Sequence, residues 1–353
     1  MSTPAGGSAT LPDPFARIRL GRTDVHVTRL GFGCAPIGGL YAPVPEADAV
    51  AIVRHAWAMG IRYVDVAPLY GYGLAEERAG SALRDVPRHA LTLSTKVGRL
   101  IVPRAAIGPG ADIDRQALGD REDHFYRGVR AVRPVWDYSG DGIRRSVEES
   151  LARLGMERVD VLYLHDPEAH LEQALRDAWP ALVRLRAEGT VGAIGFGVDY
   201  TAPLAWLLER SDPDVVLVAG RYTLLDQSAL DAVLPLCTRK GVSVVIGGVM
   251  NSGILADPRP GATYDYAPAD AAVIARAQAI RAICARHGVP LPAAAVRFVL
   301  AHPAVASVVA GVRRVAHLDA YPAYYRTPVP AALWDELRTA GLLDPRAPVP
   351  PGA

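Results

Sequence analysis

The 353-residue sequence predicts an α/β domain of the (β/α)8 TIM-barrel class. Short runs rich in β-branched residues alternate with amphipathic helical segments along nearly the whole chain, as in parallel α/β folds. Eight such strand–helix units can be counted, which is the number that closes a barrel. An open dinucleotide-binding sheet would need a GxGxxG turn after its first strand. The segment from Gly31 to Pro36 lacks the third glycine and has a proline where the helix would begin, so a barrel is favoured.

The predicted strands and helices alternate in chain order. The strands are expected at residues 28–33, 62–65, 91–96, 159–165, 193–197, 215–220, 242–247 and 305–310. The helices are expected at residues 46–59, 75–83, 142–154, 171–188, 202–209, 229–240, 270–287 and 316–321. The clearest helical period lies in 142–154, because Ile143, Val147 and Leu151 fall on one face. The barrel domain is expected to span 15–343, between a flexible segment at 1–14 and a proline-rich tail at 344–353.

Long loops are predicted after the third and the seventh strand. In a barrel, both begin at the carboxyl-terminal face of the strands, where the active sites of this fold lie. The first, residues 97–138, contains Trp136 and Tyr138 and is interpreted as a substrate lid, with a surface insertion as the alternative. The second loop comprises residues 248–268 and is followed by a long predicted helix. Both loops are expected to contribute to substrate specificity.

The composition disfavours several classes of protein. The chain has 38 basic and 37 acidic residues, and a formal charge of +1 argues against binding to nucleic acid or an anionic membrane. Half of the residues are hydrophobic, which excludes a disordered chain, and no apolar run approaches the ~20 residues of a membrane span. The N-terminal segment lacks the features of an export signal, and the three cysteines form no CxxC pair. We therefore expect a cytoplasmic protein with free thiols.

Lysine is rare in this sequence. Only Lys96 and Lys240 are lysines among the 38 basic residues. Lys240 precedes Gly241 at the end of a predicted helix, where any cation would suit the helix dipole. Lys96 ends a predicted strand without other charges, and a compact ammonium differs there from a guanidinium. The comparison singles out Lys96 as a functional residue.

Reactive side chains fall at or just after the ends of three predicted strands: Asp65, Tyr70, Lys96 and His165. Burying them on one barrel face is costly unless they pair with one another. A neighbouring ammonium draws the pKa of a phenol toward neutrality, and a carboxylate can position that ammonium. A neutral imidazole can orient a substrate oxygen. Each residue alone could also be structural, as a cap, a loop aromatic or a buried histidine, but together they indicate a proton-transfer site.

Three motifs around these residues resemble the aldo-keto reductase family. The segment 65–71, DVAPLYG, with Glu76 and Gly80 after it, resembles the family signature Asp-x-Ala-x-x-Tyr-Gly. Residues 94–96 resemble the strand-three lysine motif, and residues 151–165 resemble the helix-to-strand motif that ends in the catalytic histidine. Motifs of this kind are distributed over nearly the whole chain.

The resemblance implies a role for each of the four residues. Tyr70 is the implied general acid/base, Lys96 tunes it, Asp65 holds Lys96, and His165 directs the substrate oxygen. A nicotinamide cofactor, NAD or NADP, would exchange a hydride with the substrate carbon. This agrees with the residues themselves, because such a site has no redox centre of its own.

The resemblance also implies cofactor and substrate contacts at the strand ends and in the loops. Asp199 stands where the sugar-oxidising branch often has asparagine, and Tyr222 is expected to stack on nicotinamide. The turn 311–313 matches a phosphate-cradling turn, where backbone N–H groups meet an anion. The expected cofactor-binding residues are Gly33, Gly197, Asp199, Tyr222, Gly248, Ser252, Gly253, Gly311, Arg313 and His317, and the expected substrate contacts are Tyr41, Trp136 and Met250.

Three further segments, 137–139, 219–226 and 247–253, resemble the branch of D-threo-aldose 1-dehydrogenase, L-fucose dehydrogenase and pyridoxal dehydrogenase. The resemblance implies NAD(P)-dependent oxidation of a sugar-like hemiacetal to a lactone. The alternative on the same residues is an NADPH-dependent carbonyl reductase, for which Arg313 and Arg314 could bind a 2′-phosphate. The expected partner is a small carbonyl or sugar substrate. Oligomeric state is left open.

Other chemistry is less well supported by the sequence. Lys96 could form the Schiff base of a barrel aldolase, but the signature around Asp65 and Tyr70 disfavours this. A non-catalytic nucleotide sensor is a further alternative. No metal is expected, because no HxH or HExxH set is present.

Overall fold

Eight parallel strands close a barrel in chain order in the computed structural model, which describes residues 11–114, 126–127 and 130–351. The strands are β1 (Leu30–Gly33), β2 (Tyr63–Asp65), β3 (Thr92–Val97), β4 (Val161–His165), β5 (Ala193–Val198), β6 (Val215–Ala219), β7 (Ser243–Gly247) and β8 (Val305–Ala310). The ring closes where Ala310 of β8 pairs with Phe32 of β1. The predicted (β/α)8 class is confirmed.

The strand register brings the reactive side chains to one end of the barrel. Asp65, the last residue of β2, pairs with Ser94 in β3. Lys96 lies two residues beyond Ser94, and alternation along a strand places both on the same side. His165 ends β4 and pairs with Gly197 of β5. The carboxyl-terminal ends of four adjacent strands therefore surround one site.

Helices pack around the barrel. They are α1 (Glu46–Met59), α2 (Leu74–Leu83), α3 (Gly140–Leu154), α4 (Trp179–Ala187), α5 (Thr201–Arg210), α6 (Val233–Lys240), α7 (Ala271–Arg286), α8 (Leu291–Leu300), α9 (Val315–Asp319), α10 (Tyr321–Arg326) and α11 (Ala331–Thr339). A short helix Leu171–Gln173 and a π-helical turn Ala174–Ala178 precede α4, and 3₁₀ turns lie at Pro36–Gly38, Arg88–Ala90, Arg104–Ala106, Ser228–Leu230 and Asn251–Gly253. The π-helical turn interrupts the helix predicted at 171–188, just before Pro180, which cannot donate a backbone hydrogen bond.

The first predicted strand, 28–33, is divided in the structure. His26–Thr28 pairs with Arg17–Arg19 in an antiparallel hairpin, and β1 begins only at Leu30. The chain changes partner at Arg29, whose backbone N–H bonds to Ala16 instead of continuing a strand. Pattern alone could not show this division, because the two short strands are contiguous in sequence.

The predicted long loop after β3 contains a second antiparallel hairpin, Arg99–Pro103 with Val132–Trp136. Its residues 115–125 and 128–129 lie outside the described residues. Gly98 enters the hairpin with φ +106°, a conformation that favours glycine. The loop after β7 holds a smaller hairpin, Thr263–Tyr264 with Ala267–Pro268.

Three helices are not predicted from the sequence: α8, α11 and the short α10, which shares only Tyr321 with the helix predicted at 316–321. Eight of the ten residues of α8 are buried, so α8 lacks the alternation of apolar and polar faces that identifies a surface helix. The second is α11, beside the C-terminal segment. Residues 344–351 of the expected tail pack on the surface, where Ala347 is buried, while residues 1–10 and 352–353 lie outside the described residues. Within the described part, no helix has the length and apolar character needed to cross a membrane.

Candidate active site

An ammonium group forms the centre of the site at the carboxyl-terminal end of the barrel. Nζ of Lys96 donates to Oδ2 of Asp65 at 2.7 Å, to the carbonyl of Val66 at 3.0 Å and to the phenol oxygen of Tyr70 at 2.9 Å. Lys96 is 1 % exposed and Asp65 is 2 % exposed. All three ammonium protons therefore have an acceptor, and the charge of Lys96 is balanced by one carboxylate.

The Asp65 carboxylate is held from its other side as well. The hydroxyl of Ser94 donates to Oδ1 of Asp65 at 2.7 Å and also lies 3.1 Å from the phenol oxygen of Tyr63. Tyr63 in turn lies 3.1 Å from the Tyr163 hydroxyl. This buried chain of polar groups fixes the carboxylate, and through it the ammonium, against rotation.

Tyr70 presents its hydroxyl to a cavity. The turn that follows β2 carries the ring, and burial raises the pKa of Tyr70 well above its ordinary value, with the Asp65 and Asp166 charges adding to the effect. The ammonium of Lys96 by itself predicts a lowered pKa for Tyr70, and in this structure the direction is the opposite. The main reason is burial of the phenol, and Asp65 also offsets the ammonium charge. Because Lys96 donates to the Tyr70 oxygen, the phenol proton is available to a substrate oxygen in the cavity.

His165 lines the same cavity as Tyr70 and Lys96. Its ring centroid is 6.0 Å from that of Tyr70, edge to face, and its backbone carbonyl accepts a 2.6 Å bond from the Tyr138 hydroxyl. Burial lowers the pKa of His165 well below its ordinary value, and the charges of Arg99 and Lys96 lower it further. The imidazole is therefore neutral at physiological pH and can donate an N–H to an oxygen.

The cavity combines aromatic walls with a group of carboxylates. The lining residues used below are Tyr70, Lys96, Arg99, Trp136, His165, Asp166, Glu168, Gly197 and Asp199. Burial, together with the neighbouring Asp166 charge, raises the pKa of Glu168 to about 7. Burial also raises the pKa of Asp199, and the Asp199 backbone N–H donates to Glu168 at 3.1 Å. The floor of the cavity is thus polar and rich in acids.

The predicted cofactor residues are distributed unevenly around this cavity. Gly197 and Asp199 line it. A Cβ at Gly197 would lie 3.6 Å from Cε of Lys96, so the glycine leaves space beside the ammonium for a flat group. Gly33 ends β1 beside Asp65. Tyr222 is not brought to the cavity: its fully buried ring packs against Phe298, with centroids 5.0 Å apart.

The loop after β7 meets the loop after β1. The Tyr41 hydroxyl donates to the Ser252 hydroxyl at 3.1 Å, which joins a predicted substrate residue to a predicted cofactor residue. Gly248 and Gly253 both have positive φ, +63° and +103°, and shape this turn. Met250 packs against the main hydrophobic core. Of the three predicted substrate residues, Trp136 is the one that lines the cavity.

The turn after β8 lies on the surface with its cations exposed. Gly311, Arg313 and His317 are all exposed, as is Arg314. Two exposed guanidinium groups suit phosphates, and the space beside Gly197 suits a planar ring. The residues present therefore fit a nicotinamide dinucleotide, for which Gly197 and Asp199 would lie toward the ring and the turn 311–313 would hold the phosphates. Among the described residues, no cluster of three His, Cys, Asp or Glu side chains could hold a metal ion.

Sequence reasoning did not identify several charged residues of the cavity, among them Arg99, Asp166 and Glu168. Glu168 follows the strand end at His165 by three positions, and Arg99 begins the unpredicted hairpin. Nothing in the local pattern distinguishes either from a surface charge. Only the closed barrel brings them together, since Arg99 and Asp166 lie 67 residues apart in the chain.

A closed (β/α)8 barrel that carries an Asp–Lys–Tyr chain and a neutral histidine at the carboxyl-terminal face defines an acid/base oxidoreductase site that depends on a cofactor. The model of the aldo/keto reductase family matches residues 29–341. The chain belongs to the aldo/keto reductase family, and it is an enzyme that uses NAD or NADP.

Named relatives match almost the whole chain. D-threo-aldose 1-dehydrogenase from a Pseudomonas species is 42 % identical over 320 residues, covering 90 % of this chain and 95 % of the relative. Pyridoxal 4-dehydrogenase from Microbacterium luteolum is 42 % identical over 335 residues, covering 92 % and 97 %. The holo form of an aldo-keto reductase from Bacillus halodurans has a similar structure, with a TM-score of 0.70, 26 % identity and coverage of 94 % and 97 %.

Proposed function

We propose that this protein oxidises a sugar-like hemiacetal or alcohol, an aldose to its lactone, with NAD or NADP as the hydride acceptor. The observation that carries the proposal is the chain of contacts from Asp65 through Lys96 to the phenol oxygen of Tyr70, at 2.7 and 2.9 Å. The 42 % identity to an aldose dehydrogenase and to a pyridoxal dehydrogenase supports the substrate class. A small carbonyl or sugar is therefore the partner, and the cytoplasm is the proposed compartment.

The residues of this chain act on the substrate oxygen. The neutral imidazole of His165 donates an N–H to the hydroxyl that reacts and orients it toward Tyr70. Tyr70, once deprotonated, accepts the hydroxyl proton while the substrate carbon loses its hydride and the C–O bond becomes a carbonyl. The nicotinamide, when bound, supplies the hydride acceptor. Lys96 stabilises the phenolate by its hydrogen bond, and Asp65 keeps Lys96 in place.

The burial of Tyr70 determines the direction of the pH dependence. Since burial raises the pKa of Tyr70, the phenol is protonated at neutral pH and is ready to donate a proton in reduction. Oxidation needs the phenolate, so its rate increases as the pH rises. The same residues thus serve both directions, and pH together with cofactor ratio decides which one dominates.

The test is the production of reduced cofactor over a panel of pentoses, 6-deoxyhexoses and pyridoxal, with NAD and NADP in parallel. We expect sugar-dependent reduction of one of the two cofactors and formation of a lactone, with Tyr70→Phe as the inactive control. An enzyme that oxidises nothing in this panel but reduces simple aldehydes with NADPH contradicts the proposal and supports a carbonyl reductase.

A further inference from the structure

Arg99 occupies a central position beside the catalytic histidine. Its guanidinium donates from Nε to Asp114 at 2.6 Å and from Nη2 to Asp166 at 2.9 Å, and Nη1 lies 3.5 Å from the carbonyl oxygen of His165. The guanidinium carbon is 3.7 Å from the centre of the Trp136 ring. Arg99 is 4 % exposed, so this cation is held away from water by partners on both sides.

These contacts join the loop after β3 to the end of β4. Asp114 and Trp136 belong to the long segment after β3, whereas Asp166 follows His165 directly. Asp166 has φ +42°, an unfavourable conformation for a residue with a side chain, so the strand end needs support. Arg99 supplies this support together with the Tyr138 hydroxyl, which also lies 3.1 Å from the carbonyl of Asp166.

The Arg99 guanidinium also contacts the carboxylate that lies next to the His165 ring. Oδ2 of Asp166 is 3.4 Å from Nε2 of His165 and is also the oxygen that accepts from Arg99. Four other groups face His165 or Asp166: Lys96 from β3, Tyr70 from the turn after β2, and the carboxyl groups of Glu168 and Asp199. The Asp166 carboxylate therefore lies among other carboxyl groups, and Arg99 is the cation that bonds to it.

We propose that Arg99 is a positioning residue for the reaction: it orients the end of β4 and keeps the Asp166 carboxylate ionised beside a neutral His165. Asp166 then accepts its hydrogen bond from Arg99, and the N–H of His165 remains available to the substrate oxygen. Without the guanidinium, Asp166 would be a buried carboxylate beside an imidazole and two other acids. The pair would then take up a proton near neutral pH, on either the imidazole or the carboxyl group.

The decisive comparison is between Arg99→Met and the double variant with Arg99→Met and Asp166→Asn. In Arg99→Met we expect kcat/KM for oxidation to acquire a new acid limb, with a loss of about tenfold or more at pH 6 relative to the wild-type profile. The double variant removes the carboxylate that attracts the proton, so the acid limb should disappear even though the contacts of Arg99 are still missing. A purely structural role for Arg99 predicts no such rescue.

Two further variants separate charge from shape. Arg99→Lys keeps the cation and should keep the wild-type pH profile at a lower kcat. Arg176→Met is the matched control, because Arg176 is an exposed arginine with a carboxylate partner, Asp177, at 2.8 Å. We expect Arg176→Met to change neither the profile nor kcat.

A spectroscopic measurement makes the test independent of the substrate, and this matters because the kinetic test rests on the proposed function. The protein has nine histidines, and the signal of His165 in a ring-labelled sample is identified by its loss in His165→Asn. Between about pH 5.5 and 8 the chemical shift of this signal should stay constant in the wild type and should change in Arg99→Met, because the proton binds either the imidazole itself or the Asp166 carboxylate, 3.4 Å from its Nε2. Identical His165 titrations in wild type and Arg99→Met overturn the inference, whether or not any sugar is oxidised. An acid limb that persists in the double variant also overturns it.

Discussion

Replacing Lys96 by arginine tests whether the site requires an ammonium group of this size, and Lys240 provides a matched lysine elsewhere in the chain. The three acceptors of Lys96 already lie within 3.0 Å of Nζ, and the side chain is 1 % exposed. A guanidinium is longer and planar and has no room there. Lys240 donates to the carbonyls of Leu208 and Ser211 at 2.7 Å, and its side chain is 27 % exposed, so an arginine can keep the charge near them.

The magnitudes follow from these contacts. General acid/base catalysis contributes about 10²–10⁴-fold, so Lys96→Arg and Lys96→Met should each reduce kcat by at least about 10²-fold. Lys96→Met also leaves the Asp65 carboxylate buried without its counter-ion, which costs about 3–5 kcal/mol of unfolding free energy. Lys240→Arg should leave kcat unchanged, while Lys240→Met loses two charge-assisted hydrogen bonds and about 1–3 kcal/mol.

Steady-state kinetics and denaturant unfolding measure both quantities on the same preparations. We expect the Lys96 variants to lose activity even where they remain folded. Equal tolerance of arginine at Lys96 and at Lys240 would refute the reasoning, because the account assigns the ammonium at position 96 a role that no other cation can fill.

The other predictions concern pH and packing. The rate of oxidation should rise with pH into the alkaline range, because the pKa of Tyr70 is raised. A pH–rate profile of the wild-type enzyme that reaches its plateau below about pH 8 contradicts this. The pKa of Glu168 is raised to about 7, so its folded state binds a proton more tightly than the unfolded chain, and stability is lost as the pH rises from about 4.5 to 7. Glu168→Gln should therefore stabilise the cofactor-free protein by about 1–3 kcal/mol at pH 8 and by nothing at pH 4, as measured by denaturant unfolding. Gly98→Ala should destabilise the fold by at least about 2 kcal/mol, since φ is +106° and a Cβ would lie 2.4 Å from the Tyr138 ring, whereas Gly108→Ala, with open space around it, should stay within about 0.5 kcal/mol of wild type.

The fold and the catalytic centre could be predicted because their signals are local. Each barrel strand is a short apolar run, and a lysine that ends such a run without a nearby charge points to a specific partner. Asp65, Lys96 and His165 lie at the carboxyl-terminal ends of strands, and a barrel places all such ends on one face. Knowledge of the family then assigned a role to Tyr70, which lies in the following turn.

Other features depend on contacts between distant segments, so no local pattern could reveal them. Arg99 acts through Asp114 and Asp166, which the hairpin and the barrel bring to it. Lys240 caps the end of α5 through two carbonyls, a contact that the local sequence does not show, although we still expect arginine to replace it. The pKa of Tyr70 was expected to fall, and it rises because burial outweighs an ammonium that Asp65 already neutralises.

The most direct test of the account is the variant Tyr70→Phe, measured for both chemistry and cofactor binding. The change removes the phenol oxygen that accepts from Lys96 at 2.9 Å and leaves the ring in place. The account predicts a fall in kcat of about 10²–10⁴-fold, with the Kd of the reduced cofactor within about twofold of wild type. Activity of Tyr70→Phe within about tenfold of wild type would contradict the assignment of Tyr70 as the group that moves the proton.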